Sequence, residues 1–430
     1  ANPLDLATTQ TKQSRNRPES SHTEHHAMTM DGLDAAADEE HIRARIAELR
    51  AGPEASAASA RVLFELAHTS NAMSEQNKEQ MGRQNAIPAL CRLLRSTSLE
   101  AQYEASSALS ELAFRNENNC MAIVRTPGAL ESLAHLLDPR NGNNQEDAAL
   151  VVNNCAAFCE DAADYIVRCP KLLSSLRALA VGFDMGAKNV AVGALNCLSR
   201  SRTAAVDLMR KKVVEKTLKH VLAERGSGDK HEARLARATM AVANLTGSIP
   251  EFPGEDGAGR SKQVLGTIVR ILGYALDREK WAGIFFAPYS VLYPLWHLAN
   301  NSSDNCAKLV EADIIPPLVR VISEWTDGRH ANKSLLVSLD IVQRLSAEPE
   351  HKAAMRKAGM VQALSMVCAQ KRGESDACRA LAQPLLEGLL EMHLAFLMGQ
   401  HQRLGGASRI YEIDDCVVGI ILEYALLGKN

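Results

Sequence analysis

The sequence predicts an all-α solenoid of about eight stacked three-helix repeats, and three observations carry that prediction. The first is a helix-ending phrase that returns along the chain: LFELAH, ALSELAF, VVNNCAAF, ALNCLSR, AVANLTG, PLWHLAN, IVQRLS and LLEGLLEM. Its anchor residues are Leu66, Leu112, Cys155, Leu198, Leu245, Leu298, Leu345 and Leu389, so the spacing stays between 43 and 53 residues. A period in the forties with helical patterning is the signature of stacked helical units. The second is another phrase that keeps step with it: NAIPALCRLL, TPGALESLAHLL, CPKLLSSLRAL, KVVEKTLKHVL, ADIIPPLVRVI and AGMVQALSMV. Each has apolar residues at i, i+3, i+4 and i+7, one buried stripe per copy. The third is composition: 46 % hydrophobic but only 4 % aromatic residues, a Leu and Ala inventory suited to helix-on-helix packing.

Each element of a unit follows from local chemistry. Gly128 and Gly359 stand where a helix must end or turn tightly before the second helix begins. Pro88, Pro127, Pro170 and Pro316 fit first-turn positions, where the missing N–H is not needed. A unit therefore reads as a short helix, a Gly or Pro turn, a second helix, a polar loop and a long third helix. One unit cannot bury its apolar faces alone; stacked neighbours can. Inserted loops are expected at Asp138–Asp147 and at Gly247–Gly259.

This pattern resembles the armadillo repeat family, whose phrase runs roughly G-x-I/V-P-x-L-x-x-L-L and then A-x-x-N-L. The resemblance extends over about Ile42 to Met398, and Asn154 and Asn244, just before their anchors, favour it over the related HEAT repeats. It implies a right-handed α-solenoid of about eight armadillo-like repeats spanning residues 39–398. Residues 1–38, rich in Ser, Thr, His and Asn, are expected as a flexible tail, and residues 399–430 as a linker at Gly405–Gly406 followed by a capping helix.

The resemblance also implies that third helices line a concave groove in which partners lie. In nuclear import adaptors such as importin-α that groove carries a ladder of Trp and Asn, the Asn directly before each anchor. Here the Asn positions hold Glu65, Glu111, Asn154, Cys197, Asn244, His297 and Arg344, and the Trp positions hold Arg61, Ser107, Leu150, Gly193, Met240, Tyr293 and Asp340. The ladder is missing, which argues against an import adaptor. The Lys/Arg run of a β-catenin-like binder of acidic partners is missing too.

Chemistry-bearing motifs point away from catalysis. GEDGAGRSK lacks the Gly-Lys-Ser/Thr order of a phosphate-binding loop and follows no strand. The cysteines take anchor and second-helix positions, as Cys155 and Cys91 do, and Cys155 with Cys159 has no matching Cys/His pair at zinc spacing. Buried free thiols point to a reducing compartment. Four Asn-x-Ser/Thr sequons, Asn244 and Asn301 among them, fall at helix ends and read as unglycosylated. A net charge of −3 gives no bulk grip on nucleic acid, and no apolar run reaches the ~18 residues of a membrane helix. No cofactor and no metal is expected.

One helix stands out. Tyr289, Tyr293, Trp296, His297 and Asn300 lie within about 100° of a helical wheel, opposite Val291, Leu292, Leu295 and Leu298. Aromatic side chains on a rigid surface are what interaction hot spots are made of. The expected groove set is therefore Tyr289, Tyr293, Trp296, His297 and Asn300 with Asn154, Met240, Asn244, Asp340 and Arg344. Packing of the aromatics under the neighbouring insertion Asp277–Phe286, or against the adjacent repeat, is the competing expectation, and Pro294 is expected to kink the helix. The reading that follows is a cytoplasmic, non-catalytic scaffold or adaptor with a protein or peptide partner. Its alternatives are a structural subunit of a larger complex and, less favoured, a nuclear transport adaptor. Lys12, Arg15 and Arg17 among Ser and Thr read first as ordinary tail; a processed targeting segment, with a nuclear or organellar location, is the lesser alternative.

Overall fold

The computed structural model describes residues 39–68, 70–140, 144–250, 257–326, 329–369 and 376–403. The expected tail and the expected linker and capping helix lie outside those residues, apart from the end of the last helix. The described chain is an α-helical solenoid, and its contacts divide it into two units.

The first unit holds residues 39–246 and 250–264. It opens with α1 (Glu39–Glu48) and α2 (Pro53–Ala67). Three full repeats follow: α3 (Ser74–Arg83), α4 (Ala86–Leu93) and α5 (Leu99–Ala113); α6 (Glu117–Arg125), α7 (Ala129–Leu136) and α8 (Gln145–Phe158); α9 (Glu160–Arg168), α10 (Pro170–Ala180) and α11 (Met185–Leu198). The next, the fifth repeat when α1 and α2 are counted as the first, comprises α12 (Arg202–Arg210), a π-helical turn (Val214–Leu218) running into α13 (Lys219–Ala223), and α14 (Asp229–Thr246). Third helices stack in order, α2 on α5, α5 on α8, α8 on α11 and α11 on α14, while first helices and second helices pack on their own kind.

The helix α15 (Gly257–Leu276) begins in that unit and continues into the second, which holds residues 247–249 and 265–403. There the chain makes α16 (Pro288–Asn301), α17 (Ser303–Glu311), α18 (Ile315–Ser323), α19 (Arg329–Leu345), α20 (Pro349–Lys357), α21 (Met360–Ala369) and α22 (Asp376–Arg403). Here α16 packs on α19, α19 on α22, and α18 on α21.

The repeat is built from recurring local devices. Ser98, Asn116, Asp184, Ser201 and Ser302 each accept the backbone N–H of the third residue along, capping the helix that follows. Between first and second helices one residue takes the left-handed conformation: Asn85, Gly128, Lys212, Asp313 and Gly359, with φ between 55° and 90°. Gly128 and Gly359 therefore do what their sequence position predicts, and three side-chain-bearing residues do the same. In three repeats an Asn in the first helix then closes the stack. Asn77, Asn119 and Asn305 donate through Nδ2 to the carbonyls of the anchors Leu66, Leu112 and Leu298, at 2.9–3.0 Å. Cys120 and Cys306 donate their thiols to Ala113 and Ala299, one residue beyond the anchor. These buried cysteines serve as short donors, a role beyond the apolar one read from sequence.

Seven anchors are buried as expected; Leu245 is the exception and stays half-exposed while Asn244 turns inward. Pro170 and Pro316 occupy the first two helical positions, but Pro127 lies in the turn ahead of α7. The sixth repeat also departs from plan. Its first two helices are replaced by the single α15, and the DREKWAGIFF insertion forms a hairpin of β1 (Lys280–Trp281) and β2 (Ile284–Phe285), with Trp281 opposite Ile284. Ala282 and Gly283 both take positive φ, the requirement of a tight two-residue hairpin turn.

Candidate functional site

Helix α16 shows how sequence positions the candidate site. Pro288 opens it at a position that needs no N–H, and Val291, Leu292, Leu295 and Leu298 are buried against the repeat core. The helical period then carries Tyr289, Tyr293, Trp296, His297 and Asn300 to the other side, half-buried or exposed. Pro294 is buried and α16 continues through it as one helix.

The aromatic rings form one contiguous cluster. Tyr293 lies 5.7 Å from Tyr289 and 5.7 Å from Trp296, nearly parallel to the indole at 26°. The His297 ring stands edge-on to Tyr293 at 4.8 Å and to Trp296 at 4.7 Å. Such offset and edge-to-face pairs each add about 0.5–1.5 kcal/mol beyond area burial. Burial holds His297 below the ordinary histidine range, so it is neutral near pH 7 and offers one donor and one acceptor.

The neighbouring third helix α19 completes the surface. The Trp296 indole N–H donates to the Asp340 carboxylate, and Asn300 donates to the same oxygen at 3.0 Å. Asn300 also donates to the Trp296 carbonyl at 3.0 Å. Lys333, one α19 face further back, places its ammonium 6.0 Å from the Tyr289 ring. Sequence reading missed Lys333; its signal was its seven-residue offset from Asp340, which puts both on one face of α19. Arg344 lies a further turn along α19 and is exposed.

Six of the expected groove residues thus come together: Tyr289, Tyr293, Trp296, His297, Asn300 and Asp340, with Arg344 adjacent. The other three are interior. Met240 is 0 %, Asn154 3 % and Asn244 5 % exposed. The Asn154 side chain donates to the Ser110 carbonyl at 2.9 Å, and Asn244 to the Ser199 hydroxyl at 2.9 Å, so both amides tie one third helix to the one before it. Near-complete burial of α14 from Ala238 to Asn244 defeats the single-stripe wheel there.

A polar cluster packed on α11 and α14, with Arg234 and Lys188 buried in it, was not anticipated. Arg237 donates to the Asn189 carbonyl at 3.2 Å and Arg234 to the Asn189 side chain at 2.7 Å. Gly193 leaves the room: a Cβ there would stand 3.1 Å from both the Arg237 guanidinium and the Asn153 amide oxygen. Glu224 joins Lys188 at 2.7 Å and Arg234 at 3.2 Å, so this cationic cluster is internally tied rather than open to a ligand.

Burial pushes the Cys91 thiol up to about 12, and Cys155 is also raised well above the usual thiol range by its hydrogen bond with the Cys120 thiol and by burial. These thiols stay protonated and are poor nucleophiles. Among the described residues no group of three His, Cys, Asp or Glu stands at metal-holding distance. No helix among them is long and apolar enough to cross a membrane.

The armadillo/beta-catenin-like repeat family matches residues 74–114. That span is one complete unit, α3 through α5, closing on its C-cap Phe114. No curated protein matches the sequence significantly. Among solved structures, the chain is similar to a crystallised engineered protein at 18 % identity and a TM-score of 0.44, over 83 % of this chain and 97 % of that one.

Proposed function

We propose that this helical solenoid, which carries an armadillo/beta-catenin-like repeat at residues 74–114, is a non-catalytic interaction scaffold that holds a polypeptide partner on the face of α16 and α19. The observation that carries the reading is the half-buried Tyr289–Tyr293–Trp296–His297 cluster on the side of α16 opposite its core, fixed by Asp340. Interaction hot spots are rich in Tyr and Trp because a rigid ring gives large contact area at little entropic cost. Pinning Trp296 to a second helix removes part of the ordering cost a partner would otherwise meet. The polar residues Asn300, Asp340 and Arg344 border the rings and supply orientation.

The test compares proteins captured from native-salt extract by the wild-type chain, by Tyr293→Ala/His297→Ala and by Lys216→Ala/Lys219→Ala. The scaffold reading expects a subset lost only from the first double variant. Identical capture by all three would remove the α16 face from the function.

One observation favours a second reading, permanent membership of a larger assembly. The α10–α11 connection exposes Val181, Phe183 and Met185 together, Phe183 completely. Such a cluster is costly in water unless something stably covers it.

A further inference from the structure

A cavity of about 260 Å³ opens between the third helices α19 and α22, and Lys352 of α20 stands at its rim. Its apolar wall comes from α22: Leu381, Pro384, Leu385 and Gly388 recur at helical spacing on one face, with Leu381 38 % exposed. Gln343 and Ser346 close the α19 side. Pro384 has a specific consequence here. It removes the N–H that would bond the carbonyl of Ala380 four residues earlier, and its ring adds to the apolar wall beside Ala380.

Lys352 is the only charged side chain of the lining and is half-buried. Among the described residues it has no ion-pair partner. An ammonium beside an apolar wall is less screened than one in open water, so an incoming carboxylate gains more there. The volume is below the ~300–1,000 Å³ of drug-sized and cofactor sites and suits a single aliphatic side chain with a short acidic arm.

We propose that this cavity receives an aliphatic residue adjoining an acidic one, Leu-Asp in type, from a partner polypeptide: the side chain on Leu381, Pro384 and Leu385, the carboxylate on Lys352. Helix α19 faces α16 with Asp340 and the cavity with Gln343, so third helices about 8–10 Å apart bring the aromatic cluster and the cavity within one extended segment's reach. At ~3.3 Å per residue, three or four residues separate the two contacts. The cavity uses none of the aromatic residues, and it stands or falls separately from the reading of α16.

The experiment is saturation-transfer NMR with N-acetyl-Leu-Asp-amide against N-acetyl-Leu-Asn-amide. The wild-type chain should saturate the aspartyl probe at least several-fold more strongly. Gly388→Leu puts a branched side chain into the cavity, its Cβ meeting nothing within 4 Å, and should abolish the signal. Lys352→Glu should abolish it as well and transfer binding to N-acetyl-Leu-Lys-amide, a gain that misfolding cannot mimic. Tyr293→Ala should leave it intact. Equal saturation of both probes, no saturation of either, or persistence in Gly388→Leu would overturn the proposal. So would a self-associated chain that Gly388→Leu converts to monomer, which would assign the cavity to a second copy.

Discussion

Trp296 and Asp340 lie 44 residues apart in sequence, and the indole N–H of one donates to the carboxylate of the other across the α16–α19 contact. Asn300 shares that carboxylate, so a single oxygen ties two repeats together at the surface. The bond orders the aromatic face and contributes to stability. Hydrogen bonds to charged groups contribute about 1.5–3 kcal/mol, less where water competes.

Asp340→Leu should therefore destabilise the α16–α22 unit by about 1–2 kcal/mol and free the indole. Tryptophan fluorescence in a urea titration would show an earlier transition, and iodide would quench Trp296 more readily. An unchanged midpoint and unchanged quenching would mean that the bond does not persist in solution.

Leu112→Ala and Leu198→Ala should each cost about 2–5 kcal/mol, because both anchors are fully buried. Leu245→Ala should cost about 1 kcal/mol or less, because that anchor is half-exposed and gives up less contact. Since repeats couple chiefly to neighbours, the first two variants should broaden thermal unfolding measured by circular dichroism rather than shift it uniformly. Equal effects at all three positions would contradict the observed register of α14.

The period and the anchors were legible because a buried Leu must return at the same helical angle in every unit, whatever surrounds it. Tyr289 to Asn300 were legible for the same reason: aliphatic and aromatic residues segregate cleanly along α16. Met240, Asn154 and Asn244 were misplaced because α8 and α14 are packed nearly all round, where one stripe no longer tells inside from outside. The Asn77, Asn119 and Asn305 bonds to anchor carbonyls depend on how successive helices cross, which no single-helix pattern encodes. The hairpin escaped notice because two-residue strands are too short for alternation to show, and its turn uses Ala282 where Asn or Gly would have marked it.

Lys212 carries a side chain at φ 55°, a position that Gly128 and Gly359 occupy without strain in their own repeats. Lys212→Gly should stabilise the fold by a few tenths to about 1 kcal/mol, relief of the left-handed strain outweighing the added chain entropy. Gly128→Ala should do the reverse, since its φ is 76° and the Arg95 guanidinium, bonded to the Gly128 carbonyl at 2.9 Å, fills the space beside it. Chemical denaturation of the pair, read as opposite shifts in midpoint, checks the assignment.

Burial lowers the folded-state value for His297 below its ordinary 6.5, so the folded chain binds this proton less readily than the unfolded one. The sign follows: the stability linked to His297 is complete above about pH 6.5 and is lost as pH falls from there toward the folded value. His297→Gln should flatten the acid side of the stability curve between about pH 7 and 5. It flattens only part of it, because burial lowers His231 in the same direction. A curve unchanged by the substitution would show that His297 is not desolvated by its ring neighbours.

The sharpest prediction concerns recognition. Tyr293 is the hub of the ring cluster, touching Tyr289, Trp296 and His297, and it faces away from Leu292, Leu295 and Leu298. Tyr293→Ala with His297→Ala should weaken binding of the captured partner by more than about 1 kcal/mol and up to about 4 kcal/mol in calorimetry. Helix content should be kept, since the aliphatic core of α16 is untouched. Lys216→Ala with Lys219→Ala removes two exposed charges from the fifth repeat and should change affinity by a few tenths at most, as isolated surface charges do. Asp340→Leu should fall between the two, because the rings remain but lose their tether. Should Asp340→Leu weaken binding as much as the double truncation, then the tether rather than the ring surface is what the partner reads. If all three bind as the wild type does, the partner lies elsewhere, and the exposed Val181–Phe183–Met185 connection becomes the surface to test.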